Sequence, residues 1–419
     1  MPERPESHKR VLIFSILSIF YISSIFYRVC NAVIAPDLTR ELNLTAESLG
    51  VLGGAFFYSF ALMQIPMGPL LDRVGPRMIL TLFPLIGASG AFLFATAESF
   101  SVALTGRILI GVGMSPLLMG SLKTFLMRFP PKHFSTLMGS FMAIGYLGNF
   151  LAASPLAYLN AIIGWRKVIF LAGVITALFS FLVFRVFAEG KRQGRSPGDR
   201  PSEVPAPDKP ALGVFQSVRL ITKSLSFWQL GTSAFFRYGT FISLQGLWLG
   251  PYFMEIEGYS PAEAGQLLTA LAVGIMVSGP VVGRFVDRTG TSKKNVILAG
   301  LILYTVCLLP LIGVPRIRSL YAYLPLFVLM GFFNGSAILI FAHATSLFPP
   351  GISGTVLTLS NFFSMSGGAI FMPLMGKVIE SFPRSGGTYP VEAYHTAFLV
   401  CILCMVASFV FYAFSQKDR

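Results

Sequence analysis

The sequence predicts an all-α membrane protein of twelve transmembrane helices in two six-helix bundles, with both termini cytoplasmic. Three observations carry this expectation. The 419-residue chain is 54% hydrophobic and only 12% charged, with a mean hydropathy of +0.70, too little charge to cover a soluble protein of that size. Its apolar residues gather into twelve runs of about 20 residues, the length needed to cross a hydrocarbon layer roughly 30 Å thick. A stretch rich in Pro, Gly and charge separates the first six runs from the last six.

The runs lie near 11–35, 48–71, 78–97, 101–127, 135–160 and 167–188, then 225–254, 261–286, 293–312, 320–348, 352–380 and 391–414. They are spans 1 to 12 below. A closed barrel would need alternating segments of about ten residues, and these are absent. The polar head 1–10 runs straight into about 25 apolar residues, too many for a signal-peptide core, so span 1 is expected to stay. The predicted organisation is head 1–10, N-terminal bundle 11–188, flexible cytoplasmic linker 189–224, C-terminal bundle 225–414 and tail 415–419.

The formal net charge of +14 is a matter of topology. About 21 of the 32 Lys and Arg fall in the head, tail, linker and turns after even-numbered spans, and about seven on the other side. That bias puts the termini in the cytoplasm and the protein in a plasma membrane, by expectation a bacterial inner one. It explains the basic pI through contact with anionic lipid, without nucleic acid. Cys30, Cys307, Cys401 and Cys404 all lie in apolar spans and read as small buried hydrophobes.

One charged turn is written twice. After span 2 the chain reads "GPLLDRVGPR" (68–77), and after span 8 "GRFVDRTGTSKK" (283–294), an offset of 215 residues. Gly50 and Gly265 open the two repeated intervals, and Gly75 and Gly290 close them. Such self-similarity predicts two bundles related by an axis along the membrane normal. An acid at a helix C-terminus meets the negative end of the dipole, so Asp72 and Asp287 should need partners outside their own helices.

Gly-x-x-x-Asp-Arg-x-Gly after the second of six spans, in both halves, resembles the cytoplasmic loop motif of the major facilitator superfamily. "RILIGVG" in span 4 (Arg107, Gly111, Gly113) resembles the same family's Arg-x-x-x-Gly-x-Gly. The resemblance spans nearly the whole chain. It implies a conformational latch: Asp72 would meet the start of span 11 and Asp287 the start of span 5, closing the cytoplasmic side. Arg73 and Arg288 would anchor the turns, and Gly68 and Gly283 would allow close helix approach.

Four basic residues lie inside spans: Arg28, Arg107, Lys123 and Arg237. A charge at membrane depth is costly unless it meets water or a partner. Lys123, near the inner end of span 4, has a stem long enough to snorkel. No Asp or Glu lies deep in any span, which makes a substrate anion the expected partner for the arginine forks. Arg28 shares a polar stripe with Tyr27 and Asn31, and Arg237 shares one with Phe241, Gln245 and Trp248. "FYRVCNAVIAPDL" in span 1 resembles the organic phosphate antiporters and the anion–cation symporters, and "FFRYG" in span 7 resembles the former. In the symporters, arginines of spans 1, 4 and 7 line the anion path, which carries over to Arg28, Arg107 and Arg237. Their proton-linked acids are here Tyr27 and Met114, so exchange of one anion for another fits better than proton symport.

The leading reading is a secondary transporter for a small organic anion, a carboxylate or phosphorylated metabolite, working by alternating access. Candidate binding residues are Arg28, Asn31, Arg107, Tyr146, Asn149, Arg237, Gln245 and Asn361, and His343 is a possible proton site. Expected partners are the bilayer, the substrate and a coupling ion or counter-anion, with the chain a monomer. No catalytic constellation, metal site or cofactor motif is present, so an enzyme is not expected. Proton-driven efflux of a drug or metabolite and a transporter-like membrane sensor are the other readings. The Gly-Pro pair usual in span 5 of exporters is missing from "GSFMAIGYLGNFLAASP".

Overall fold

A computed structural model gives the fold, describing residues 4–129, 134–189, 214–317, 319–349, 352–384 and 388–415. Ten helices among these are individually long and apolar enough to cross a membrane. The bent pair Ser140–Leu151 and Ser154–Ile163, at 42°, makes an eleventh crossing, span 5. Span 7 is the twelfth: an α-helix, Leu225–Ser243, prolonged through two π-helical turns, Leu244–Trp248 and Tyr252–Ile256. An even number of crossings returns both termini to one face of the membrane.

Four spans are interrupted at mid-depth. Span 1 is Arg4–Val29 and Asn31–Leu42, broken at Cys30. Span 4 is Phe100–Met114 and Leu117–Arg128, broken at Ser115-Pro116, where proline cannot donate. Span 5 breaks around Tyr146 and again at Ala152-Ala153. Span 10 is Leu320–Gly335 and Leu339–Leu347, joined by a 3-10 turn at Ser336–Ile338. Non-helical backbone at this depth survives where protein or a cavity satisfies it. Gln64 does so at the span 4 break, donating from Nε2 to the Ser115 carbonyl at 3.1 Å. The remaining spans are Ala46–Arg73, Pro76–Ala95, Trp165–Glu189, Pro261–Thr289, Lys293–Leu308, Ser353–Glu380 and Val391–Ala413.

The linker differs from expectation in one part. Val214–Thr222 is an amphipathic helix, with Ser217 and Ile221 buried and Ile221 packed among Phe227 and Val356, so only 190–213 of the linker lies outside the described residues. Lys123 also differs: its Nζ donates to the Leu71 carbonyl at 2.8 Å, satisfying the end of span 2 where the sequence predicted snorkelling. Arg77 lies 4.5 Å over the Phe184 ring and donates to that residue's carbonyl at 3.2 Å, tying span 3 to span 6.

The halves meet on the face opposite the termini. A Cβ at Gly50 would stand 2.6 Å from the Met372 carbonyl oxygen, and one at Gly54 would stand 2.9 Å from that of Ala369, so only glycine lets spans 2 and 11 touch this closely. The repeat partner of Gly50, Gly265 of span 8, faces span 5, where a Cβ would lie 3.1 Å from Ser154 Cα. Ser154 and Thr269 hydroxyls bridge that contact at 2.9 Å. Nearer the surface, Glu380 Oε2 accepts from the Glu47 amide at 2.7 Å, Arg384 donates to the Leu44 carbonyl at 3.1 Å, and Tyr389 Oη accepts from the Ala46 amide at 3.3 Å.

The termini-bearing side is different. A Cβ at Gly283 would meet nothing within 4 Å, so the close approach expected there is not made in this conformation. Gly75 and Gly290, which end the two charged turns, have φ of 85° and 64°, values that favour glycine. Arg73 and Arg288 are exposed beside them, and the surroundings of Gly68 and the side chains of Asp72 and Asp287 lie outside the described residues. Closed at Gly50 and Gly265 and apart at Gly283, the two halves are splayed toward the termini. Gly50→Val should wedge spans 2 and 11 apart, since overpacking costs about 1–3 kcal/mol. A cysteine placed at Leu49 would then be alkylated faster from the outer face than in the Gly50 background; an unchanged rate would contradict this packing.

Candidate functional site

Between the halves lies a central cavity of about 470 Å³. Span 1 contributes Tyr21, Ser24, Ile25 and Arg28, which repeat at i, i+3, i+4 and i+7 along one helical face. Span 5 adds Met142, Tyr146 and Asn149, and span 7 adds Ala234, Tyr238, Phe241, Ile242 and Gln245. Span 11 adds Leu357, Thr358, Asn361, Ser364 and Met365. Of the sequence-derived candidates, Arg28, Tyr146, Asn149, Arg237, Gln245 and Asn361 border this space. Among the described residues no Asp or Glu borders it.

The three deep arginines have separate fates. Arg237 is fully buried, and its guanidinium turns toward the break in span 10. There Nη2 donates to the carbonyls of Phe333 (2.6 Å) and Asn334 (3.2 Å) and to Ser336 Oγ (2.7 Å), and Nη1 donates to Ile297 O of span 9 (3.4 Å). The Phe333 and Asn334 carbonyls lie at the C-terminal end of Leu320–Gly335, where helix dipoles concentrate about half a negative charge. The interrupted helix supplies the countercharge that the sequence was expected to find in a substrate.

Arg107 follows the same rule in the other half. It is fully buried, donates from Nη1 to Tyr27 O at 2.8 Å near the end of Arg4–Val29, and packs between the rings of Phe56 and Phe94, 5.4 and 5.8 Å away. It is not among the residues that line the cavity. Asn31 is fully buried as well, and it is not among the cavity-lining residues; it shares the Tyr27 side of span 1, one face away from Arg28. Tyr27 Oη itself meets Thr176 of span 6 at 3.3 Å. His343 is fully buried outside the cavity lining, with Nδ1 2.6 Å from Tyr412 Oη of span 12. That position gives it no direct contact with a solute in the cavity.

Arg28 and Arg237 both border the cavity, and of the three arginines Arg28 is the one that is partly exposed. It lies 5.2 Å from the Phe60 ring centroid and donates from Nη1 to Tyr238 Oη of the opposite half at 3.1 Å. Among the described residues no carboxylate pairs with it. Tyr238, Tyr21 and Ser24 were missed in the sequence. Each had a signal: Tyr21 and Ser24 precede Arg28 by seven and four residues on the same face, and Tyr238 is the residue after Arg237. Gln245 continues the i+3/i+4 spacing of Phe241 and Ile242 onto the cavity, while Trp248, at the end of the π turn Leu244–Trp248, donates from Nε1 to Met372 O at 3.1 Å.

Two helical bundles, sealed together on one face and splayed around a central cavity toward the other, are the build of a membrane transporter. The chain belongs to the Major Facilitator Superfamily, whose model matches residues 16–372 and 230–418. It is 25% identical to the D-galactonate transporter of Escherichia coli O6:H1 over 92% of this chain and 91% of that one. It is 26% identical to a probable sulfoacetate transporter of Cupriavidus necator, over 68% of this chain and 67% of that protein. Among solved structures it is similar to a bacterial homologue of the human lysosomal transporter Spinster in an inward-facing, occupied conformation. There the TM-score is 0.76 at 18% identity, covering 97% of this chain and 96% of that one.

If Arg107 and Arg237 serve the helix breaks, their loss should be felt as instability. Arg107→Gln and Arg237→Gln should each cost about 1.5–3 kcal/mol, the worth of a charge-assisted hydrogen bond left unmade. Arg28→Gln should cost much less. Melting of the purified variants checks this, and equal losses at all three positions would contradict the assignment.

Proposed function

We propose that this protein is a secondary transporter of small organic anions in a bacterial plasma membrane, with Arg28 as the anion anchor. One observation carries the reading: Arg28 is the deep guanidinium that faces the cavity, and it is held there by a neutral phenol of the opposite half. A planar fork with five donors pairs bidentately with a carboxylate, sulfonate or phosphate, and gains more from that than from one tyrosine hydroxyl. An arriving anion would take over the fork and release Tyr238. Because Arg28 and Tyr238 belong to different halves, that exchange loosens or tightens their link, and differential binding is what biases a two-state equilibrium. The named activities of the galactonate and sulfoacetate relatives agree with an anionic solute.

Alternating access follows from the glycine contacts. Spans 2 and 11, and spans 5 and 8, would part on the outer face as the termini-bearing ends close. With the termini cytoplasmic, as the charge bias implies, the described conformation is inward-facing. Asp72 and Asp287 are assigned the latch of the closed cytoplasmic side. Since no acid borders the cavity, the coupling favoured here is exchange of one anion for another, which needs no titrating group.

Transport by purified protein in liposomes tests the reading. Liposomes preloaded with unlabelled galactonate or sulfoacetate should take up the labelled anion, and a proton ionophore should leave the rate unchanged. Arg28→Gln should reduce uptake about ten- to a hundredfold, as expected for losing a charge-assisted pair, while Arg28→Lys should keep part of it. Uptake that survives Arg28→Gln would sink the anchor, and uptake that needs an imposed pH gradient would sink the exchange mode.

A further inference from the structure

The cavity sorts its polar and apolar groups by depth. At its inner end, around Arg28, are the phenols of Tyr21, Tyr146 and Tyr238. Toward the termini-bearing face the wall is Leu118, Met119 and Leu122 of span 4, Ile338 and Phe341 of span 10, and Leu357 of span 11. Thr358 and Asn361 are the polar positions beside Leu357. A second guanidinium is close by, yet Arg237 is fully buried and spent on the carbonyls of the span 10 break. The site therefore offers one cationic head position, with Asn149, Gln245 and Ser364 also on its border, and toward the termini a surface made mainly of leucine, methionine, isoleucine and phenylalanine.

Such a surface selects by chemistry. A solute hydroxyl pressed against leucine, methionine and phenylalanine gives up water without finding a partner. An aryl or alkyl body there is driven out of water, and methionine side chains can shape themselves around it. A second anionic group has no second free fork to meet. About 470 Å³ is within the range of sites that enclose molecules larger than a two-carbon acid.

Building on the anion-transport reading, we infer that the substrate is an amphipathic monoanion: one carboxylate or sulfonate head on an aryl or branched alkyl body. Polyhydroxylated sugar acids and dianions fit this cavity less well. The head sits at Arg28, and the body lies against Leu118, Leu122 and Phe341.

Competition binding to the purified full-length chain tests this, with benzoate and phenylacetate against galactonate and glucarate, and benzamide as the neutral control. The aryl monoanions should bind on the order of tenfold more tightly than either sugar acid, the equivalent of a few buried methylene groups. Benzamide should bind far more weakly than benzoate. Leu122→Asn and Phe341→Asn, each checked for a monodisperse, cooperatively melting protein, should shrink the aryl preference several-fold. Arg28→Gln should abolish binding of every anion. Tighter binding of galactonate or glucarate that still depends on Arg28 would overturn the amphipathic assignment and leave anion transport standing. Binding indifferent to Arg28→Gln, or equal for benzoate and benzamide, would overturn both.

Discussion

The interaction on which the interior depends is that of a buried guanidinium with the open end of an interrupted helix. Membrane-spanning helices satisfy their own backbone, and each break exposes carbonyls that hydrocarbon cannot solvate. Arg237 closes the account at the break in span 10, and Arg107 does the same near the break in span 1. Cation and carbonyls are each costly at this depth by themselves, and each removes the other's cost. The chain can thus hold two fixed positive charges and two bent helices in its core with no internal acid.

This division of labour gives the cavity its character. Both bonded arginines act within a single half, Arg107 on span 1 and Arg237 on spans 9 and 10, so they travel with their bundle as it moves. The repeat is imperfect: in the first half the arginine belongs to span 4 and the break to span 1, whereas in the second the arginine belongs to span 7 and the break to span 10. Arg28 stands apart, because its partner Tyr238 lies across the seam between the bundles.

Architecture was plain in the sequence because hydrophobic length and internal repetition are properties of the chain itself. The twelve runs and the paired glycines at 50 and 265 appear in the fold. The arginines were harder. Their depth was readable, and the lack of acids nearby was too, but a backbone carbonyl leaves no trace in composition. Only the breaks at Cys30 and at Ser336–Ile338 turn a peptide group into an anion-like partner. Asn31 continues the polar stripe forward from Arg28, whereas the cavity face runs backward through Ser24 to Tyr21. In span 7 Arg237, Phe241 and Gln245 border the cavity, and Trp248, the last residue of that stripe, sits at the end of a π turn and is bonded elsewhere.

The outer seal distributes its chemistry unevenly. Glu380, Arg384 and Tyr389 of the second half reach across with side chains, while Leu44, Ala46 and Glu47 of the first half answer with peptide groups alone. A peptide group is common to nearly every amino acid. Sequence drift at the receiving positions can therefore leave the closure intact, whereas drift at the reaching positions cannot. The hydrogen bonds at this outer rim are thus set by side chains of the second half, while the close packing beneath them rests on Gly50 and Gly54 of the first.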